Sequence, residues 1–279
     1  MNTSGGADTI TRPTWPVLAA IALAATIFRF WDLGRPSLWT DELYTLGFAK
    51  LPPNLLWGDW MVRETNPPLF YSLLAVWKSM FGESEFALRA LAATFGVLGV
   101  VAVFFIGCGL HSSAAGLWAA GLAAVSAQQL QYSQFVRGYT LGFLAAALCI
   151  VALLQLTRLW RSESAATRLP WLGLYAGAAT VVFYTHTTFF ALPVLANAYM
   201  AWLWLFRTPR RRREAMEWIA ANAAVLVACA WWIGIRVRQL EAGAEQIAWI
   251  EPTSVRDAAM KTAHIFATRS LDSLNLILA

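Results

Sequence analysis

Residues 15–30 read WPVLAAIALAATIFRF, and residues 38–44, shortly after them, read LWTDELY. The first stretch is a retained membrane span in our interpretation, and it places the adjacent acids Asp41 and Glu42 at the membrane surface. Only 16 of the 279 residues are Asp or Glu, so a side-by-side pair at this place needs a reason. A solvated loop or an acidic cap on the next helix is the structural interpretation. A general base is the functional one.

The composition is that of a membrane protein. The chain is 58% hydrophobic and 13% charged, with a mean hydropathy of +0.53. A soluble domain of this length cannot bury so much apolar surface, so the bilayer must be its solvent. The net charge of +5 comes mainly from Arg clusters between apolar runs, which indicates topology and argues against nucleic-acid binding. Cys108, Cys149 and Cys229 all fall inside apolar runs, and we expect no disulfide.

Further apolar runs predict an all-α fold, a polytopic transmembrane helical bundle of about seven spans. After the span at 15–30, each run approaches the ~20 residues that a bilayer requires. We expect residues 1–279 to form a single membrane-embedded domain, C-terminally truncated or reduced relative to longer proteins of its kind. The further predicted spans are 91–109, 114–128, 139–157, 170–185, 188–206 and 216–235.

Residues 31–90 form a long first loop, which we expect to lie on the extracytoplasmic side. Its apolar stretch at 67–81 begins with Pro67 and Pro68, as helices often do, and is followed by Gly82. At ~14 residues it is too short to span comfortably, so it predicts an interfacial or re-entrant helix. A true short span is the alternative, but it would invert the rest of the chain and place the Arg210 cluster outside.

Basic loops set the orientation, because Lys and Arg favour the cytoplasmic side. The predicted bundle then has the acid pair, the connection 128–137 and the hairpin tip 185–188 together on the outer face. The Ala- and Arg-rich composition is typical of a GC-rich bacterium, so we expect an integral, multi-pass protein of the bacterial inner membrane with its site on the extracytoplasmic face. The basic side chains that carry this prediction are Arg158, Arg161, Arg168, Arg207 and the run 210–213.

Five further side chains on that face are candidates for substrate contact. Arg137, with Tyr139 beside it, is either an interfacial anchor or a phosphate clamp, since a guanidinium forms bidentate hydrogen bonds to phosphate oxygens. His186 is either a plain hydrogen-bonding residue or a ligand for phosphate, sugar or metal. Asn66 opens the stretch that also contains Tyr71, and it belongs either to a Pro-initiated helix start or to a substrate site.

An acid pair and an Arg on one face suggest group transfer from a lipid phosphate. The lipid would lie in the bilayer with its phosphate at the interface. Arg137 would stabilise the charge that develops on the departing phosphate. Asp41 would orient and deprotonate the acceptor.

These residues resemble the GT-C polytopic glycosyltransferases. The similarity is to the bacterial relatives of the dolichyl-phosphate-mannose protein mannosyltransferases and of the aminoarabinose transferase that modifies lipid A. Asn66 stands where that family usually has His or Lys, and Thr187 stands where Tyr is common. The matching elements are LWTDE at 38–42, NPPLFY at 66–71, FGESEFALR at 81–89, YSQFVRGY at 132–139 and Thr-His at 185–186.

The resemblance implies a donor in which a sugar is linked to polyprenyl phosphate, and an inverting transfer with Asp41 as base. It implies that Arg137 contacts the leaving phosphate and that Glu42 orients Asp41 or the acceptor. The acceptor is left open among protein, lipid and glycan. No nucleotide cofactor is expected, and the participation of a divalent metal is left open. A transporter or flippase, or a non-catalytic subunit that binds lipid-linked sugar, remains the alternative.

Overall fold

The computed structural model describes residues 14–160, 167–206 and 212–241, together with 254, 256–257 and 259–260. Within these residues the chain forms eleven α-helices, two short 3-10 turns and no strand. The predicted all-α transmembrane bundle is therefore confirmed. The helices are α1 Thr14–Phe30, α2 Thr40–Phe48, α3 Pro53–Leu56, α4 Leu69–Phe81, α5 Glu85–Leu110, α6 Ser113–Val125, α7 Ala127–Ser133, α8 Tyr139–Leu159, α9 Leu169–Phe183, α10 Ala191–Phe206 and α11 Arg212–Glu241.

The apolar helices correspond to the predicted spans. Three of them, α5, α8 and α11, are long and apolar enough to cross a membrane, and α1, α4, α6, α9 and α10 are shorter apolar helices. Each of the seven predicted spans coincides with one helix, namely α1, α5, α6, α8, α9, α10 or α11. The short helices α2, α3 and α4 lie in the long first loop, as predicted.

Close contacts between small residues hold the bundle together. The helix α5 packs against α1, α6 and α8, and α9 packs against α8 and α11. Where α5 meets α6, a Cβ added to Gly107 would lie 2.6 Å from the Cα of Gly116, so only a residue without a side chain fits there. Such contacts let membrane helices approach closely and gain dispersion energy.

The bounds of α4 follow from its flanking residues. The helix begins directly after Pro68 and ends at Gly82, whose φ of 88° lies in the left-handed region that glycine tolerates best. The next helix, α5, begins at Glu85. The hydroxyl of Ser84 accepts the backbone N–H of Ala87 and so caps its first turn.

The two ends of the bundle differ in character. At one end, which we call the site end, the first loop meets the segment 134–137 that follows α7, the α9–α10 connection and the last turn of α11. Gln239 reaches into that loop and donates hydrogen bonds to the carbonyls of Met61 (2.9 Å) and Glu64 (2.6 Å).

At the other end lie Arg158 and Arg168, two of the basic loop residues from which the orientation was predicted. Arg168 forms a bidentate ion pair with Glu217, and both N–O distances are 2.9 Å. Arg158, in the last turn of α8, donates to the carbonyl of Gly109 at the end of α5. Arg161, Arg207, Arg210 and Arg211 lie outside the described residues.

Candidate functional site

Glu42 is completely buried in the first turn of α2. Its Oε2 atom accepts the backbone N–H of Trp39 (3.2 Å), so it caps its own helix. Its Oε1 atom accepts the backbone N–H of Val136 (2.8 Å), 94 residues further along the chain. The acidic-cap interpretation therefore fits Glu42, and the same carboxylate also holds the loop that precedes α8.

Arg89 neutralises this buried carboxylate. Its Nε and Nη2 atoms lie 2.9 and 2.7 Å from the two oxygens of Glu42. The remaining N–H groups donate to the carbonyls of Leu33, Pro36 and Ser37 at 2.7–3.1 Å. A buried ion pair is tolerated when hydrogen bonds satisfy both partners, as they do here.

Asp41 differs from its neighbour. Its side chain is half-buried, and within the described part of the chain its carboxylate has no hydrogen-bond or ion-pair partner. Its main-chain carbonyl accepts hydrogen bonds from the Thr45 hydroxyl (2.9 Å) and from Nη1 of Arg137 (3.4 Å). The carboxylate that was predicted to act as base is thus accessible and uncommitted.

Arg137 is held against the first turn of α2 without using an acid. Its Nη1 atom also lies 3.4 Å from the hydroxyl of Thr45, and its guanidinium carbon lies 5.8 Å from the ring centre of Tyr139. Among the described residues no carboxylate comes within ion-pair distance of it. Its charge is therefore available to an anion.

A narrow crevice, with a volume of about 230 Å³ including its open mouth, brings four of the predicted residues together. Asn66, Tyr71, Arg137 and His186 all line it. Tyr139 lies next to it, with its ring 5.1 Å from the imidazole of His186. The remaining lining residues are Thr45, Pro67, Phe70, Gly138 and Thr185.

His186 lies in the turn between α9 and α10. Burial, and after it the positive charge of Arg137, lower the pKa of its imidazole to about 4. The ring is therefore neutral near pH 7 and can donate from one nitrogen and accept at the other.

Glu64 belongs to the site although the sequence analysis did not select it. Its Oε1 atom accepts hydrogen bonds from the backbone N–H of Asn66 (2.9 Å), the Asn66 amide (3.0 Å) and the Tyr71 hydroxyl (3.1 Å). It therefore fixes the orientation of two predicted substrate-contacting side chains. Its position two residues before Asn66, in a chain with few acids, is the signal that could have found it.

The site has few groups that could hold a metal. In the part of the chain that the structure describes, three or more His, Cys, Asp or Glu side chains nowhere come together in a way that could bind an ion.

The fold and the site thus define a helical membrane protein with an acid and an arginine at one end of its bundle. The sequence matches no family profile and no curated protein. The fold is similar to the crystal structure of the Archaeoglobus fulgidus oligosaccharyltransferase, determined with a tethered acceptor peptide that contains the NVT sequon. The TM-score is 0.63 at 15% identity, over 97% of this chain and 39% of the oligosaccharyltransferase chain. At this identity the likeness is one of fold, and the chain spans about two fifths of the length of the oligosaccharyltransferase chain.

Proposed function

We propose that this protein is a membrane glycosyltransferase that moves a sugar from a polyprenyl-phosphate donor to an acceptor on the extracytoplasmic face. The observation that carries the proposal is the relation between Asp41 and Arg137. One turn of helix holds an uncommitted carboxylate, and a guanidinium without an acidic partner reaches that turn. The similarity of the fold to an oligosaccharyltransferase supports the same reading.

The two groups suit the two halves of an inverting transfer. Asp41 takes the proton of the acceptor hydroxyl or amine as its oxygen or nitrogen attacks the anomeric carbon. The bond between that carbon and the phosphate oxygen breaks, and the electron pair leaves with the polyprenyl phosphate. Arg137 stabilises the phosphate as its charge grows.

The other predicted residues have supporting roles in this proposal. Glu42 is a positioning residue, because its carboxylate is saturated by Arg89 and by two backbone N–H groups. Asn66, Tyr71 and His186 line the cavity in which substrate would meet Arg137. Tyr139 supports both His186 and Arg137 through its ring.

The experiment measures transfer of radiolabelled sugar from a panel of polyprenyl-phosphate sugars in membranes at equal expression. Removing the base in Asp41→Asn should lower the rate at least ~10²-fold. Removing the cation in Arg137→Ala should lower it to a similar extent, ~10²–10³-fold. Asp32→Asn and Arg35→Ala are matched controls, because these residues form an exposed pair with each other in the same loop and should keep full activity.

The outcomes separate the candidate functions. Transfer by the unmodified protein that fails in both site variants and persists in both controls supports the proposal. Full activity in Asp41→Asn would remove Asp41 as the base. Passage of a solute or lipid without any transfer would favour a transporter or flippase. Binding of lipid-linked sugar without transfer would favour a non-catalytic subunit.

A further inference from the structure

A second and larger cleft lies on the other side of His186. It encloses about 760 Å³ including its open mouth. One wall comes from α7, a short helix that provides Gln128, Gln129 and Tyr132. The opposite wall comes from the start of α8 and from the α9–α10 connection, through Tyr139, His186 and Phe189. His186 is thus a shared wall between this cleft and the cavity that contains Arg137.

Four polar side chains that line this cleft have no hydrogen-bond partner among the described residues. The side-chain amides of Gln128 and Gln129 are half-buried, and neither makes a hydrogen bond to any described residue. The hydroxyls of Tyr132 and Tyr139 likewise make no hydrogen bond to any described residue. A glutamine amide offers two donors and an acceptor with two lone pairs, and a tyrosine hydroxyl can both donate and accept. The cleft therefore presents several convergent and unused hydrogen-bonding groups, the usual means by which a pocket selects its ligand.

The chemistry of the lining favours a neutral, hydroxyl-rich ligand. No Asp, Glu, Lys or Arg is among the described residues that line the cleft, so it offers a phosphate or nucleotide no opposite charge. Its aromatic side chains form a continuous group, with ring centres 4.8 Å apart for Tyr132 and Tyr139 and 5.1 Å apart for Tyr139 and His186. Aromatic rings pack against apolar C–H faces while amides hydrogen-bond hydroxyls, and a sugar ring has both kinds of surface.

The surroundings of the cleft favour the donor over the acceptor. An apolar crevice of about 430 Å³, including its open mouth, lies further along α8, between Cys149 and Leu153 of that helix and Leu192 and Leu195 of α10. It is about 10 residues further along α8, which corresponds to about 15 Å at the rise of an α-helix. A ligand with a polar head in the cleft and an apolar tail between α8 and α10 matches both cavities, and Arg137 stands beside the head group.

We propose that this cleft binds the glycosyl group of the lipid-linked donor, and that Gln128 and Gln129 determine which sugar is accepted by hydrogen-bonding its hydroxyls. The proposal rests on the function proposed above, because it takes the donor to be a lipid-linked sugar. It adds residues of α7 to a site otherwise built from α2, residues 66–71, the segment 137–139 and the α9–α10 connection.

A binding measurement tests the cleft without requiring catalysis. The full chain, purified in detergent, is titrated with a short-chain polyprenyl-phosphate sugar and with the same polyprenyl phosphate lacking the sugar, using tryptophan fluorescence. The unmodified protein should bind the sugar-bearing lipid more tightly, by about 5-fold for each hydrogen bond to the sugar. In the double variant Gln128→Ala/Gln129→Ala this preference should vanish, while the affinity for the bare lipid phosphate stays the same.

Gln131→Ala is the matched control, because Gln131 is an exposed glutamine of the same helix and does not line the cleft. It should keep the full preference for the sugar-bearing lipid. Circular dichroism and thermal melting of both variants show that they are folded, and bare-lipid binding shows that the phosphate site is intact.

A second readout uses transfer with donor analogues that lack one sugar hydroxyl. The unmodified protein should discriminate against such analogues in kcat/KM, because the amide left behind loses its partner. Single Gln128→Ala and Gln129→Ala variants should each lose discrimination at their own hydroxyl. Unchanged discrimination in both variants, together with unchanged preference in the binding assay, overturns the cleft assignment.

The failures of the two proposals are distinguishable. Transfer that depends on Asp41 but not on the two glutamines keeps the transferase and removes the sugar cleft. A glutamine-dependent preference for the sugar-bearing lipid without any transfer keeps the cleft and removes the transferase. An unmodified protein with no preference for the sugar-bearing lipid overturns the cleft directly.

Discussion

Glu42 and Arg89 form a buried, bidentate ion pair, with N–O distances of 2.9 and 2.7 Å. Glu42 follows Asp41 directly, and the Val136 N–H that it also binds precedes Arg137 directly. The pair therefore fixes the backbone on both sides of the proposed reaction centre. A small shift of either segment would move the carboxylate relative to the guanidinium, and transfer rates are sensitive to displacements of about 1 Å.

Glu42→Gln should destabilise the protein strongly. The amide leaves the buried Arg89 without a counter-charge and turns an N–H toward donors, and breaking such a pair costs about 3–5 kcal/mol. Thermal and urea unfolding in detergent measure the loss.

Asp41→Asn is the matched control for that measurement, one residue away. Its carboxylate has no partner in the described chain, so its stability should change by less than about 0.5 kcal/mol while its activity falls. Equal stability losses in the two variants would contradict the division of roles between these adjacent acids.

Gly96→Ala should also destabilise the protein, through the contact of α5 with α1 and α7. An added Cβ at Gly96 would collide with the hydroxyl of Ser133 and lie 3.0 Å from Nε of Arg29. These two side chains hydrogen-bond to each other, and Arg29 also caps α6 at the carbonyls of Ala123 and Ala124. We expect a cost of about 1–3 kcal/mol in thermal unfolding.

Gly121→Ala in α6 provides the comparison, since no atom lies within 4 Å of an added Cβ there. A methyl group at that position should leave stability unchanged or raise it by up to about 1 kcal/mol, because alanine favours the helix. A loss at Gly121 as large as that at Gly96 would show that packing is not the cause.

The imidazole of His186 should make stability depend on pH. Its pKa is lowered from 6.5 to about 4, first by burial and then by Arg137. Between these two pH values the unfolded chain binds a proton that the folded chain does not. The contribution of the neutral imidazole to the free energy of unfolding is therefore complete above about pH 6.5 and is lost as the pH falls toward 4.

His186→Gln removes that titration and should flatten the dependence. The measurement is the midpoint of urea unfolding between pH 7 and pH 4 for both proteins. The difference in unfolding midpoint between the two proteins should change between about pH 4 and pH 6.5 and stay constant above that range. Parallel curves across the whole range would mean that His186 keeps an ordinary pKa in the folded protein.

Gln239→Ala should loosen the loop that carries Glu64. The amide is buried and donates to the carbonyls of Met61 and Glu64, and leaving buried carbonyls unpaired costs about 1–3 kcal/mol. Hydrogen exchange of the backbone amides at 61–66 should become faster, and the amides of α5 should be unaffected.

Arg238→Ala tests whether that effect is specific. Arg238 pairs with Asp59 at 2.8 Å, but both side chains are exposed, at 44% and 85%. Exposed ion pairs contribute little, so hydrogen exchange in the loop should stay within error of the unmodified protein. Faster exchange in this variant as well would assign the effect to the whole end of α11.

Local pattern predicted the helices well, because apolar runs, Pro68 and Gly82 specify their bounds without distant partners. It also selected Asp41, Arg137 and His186, since charged or polar groups between spans are rare here. It could not separate the roles of Asp41 and Glu42, because the burial of Glu42 depends on Arg89 and on a backbone N–H 94 residues away.

The short helix α7 was missed for a related reason. Its seven residues carry no apolar period that could be distinguished from a polar connection. The role of Gln128 and Gln129 follows only from the cleft that α8 and the α9–α10 connection complete. Glu64 likewise gains its place from Tyr71 and Asn66, which fold back onto it.

The long reach of these contacts has a consequence for the order in which the protein is made. The acid loop emerges early, but its anchors follow one after another, at Arg89, Val136 and finally Gln239. About 200 residues separate Glu42 from Gln239, and a ribosome making about 5–20 residues per second needs on the order of 10–40 s for them. During that interval Asp41 and Arg137 still lack their final support, so the site is complete only after α11 has been synthesised.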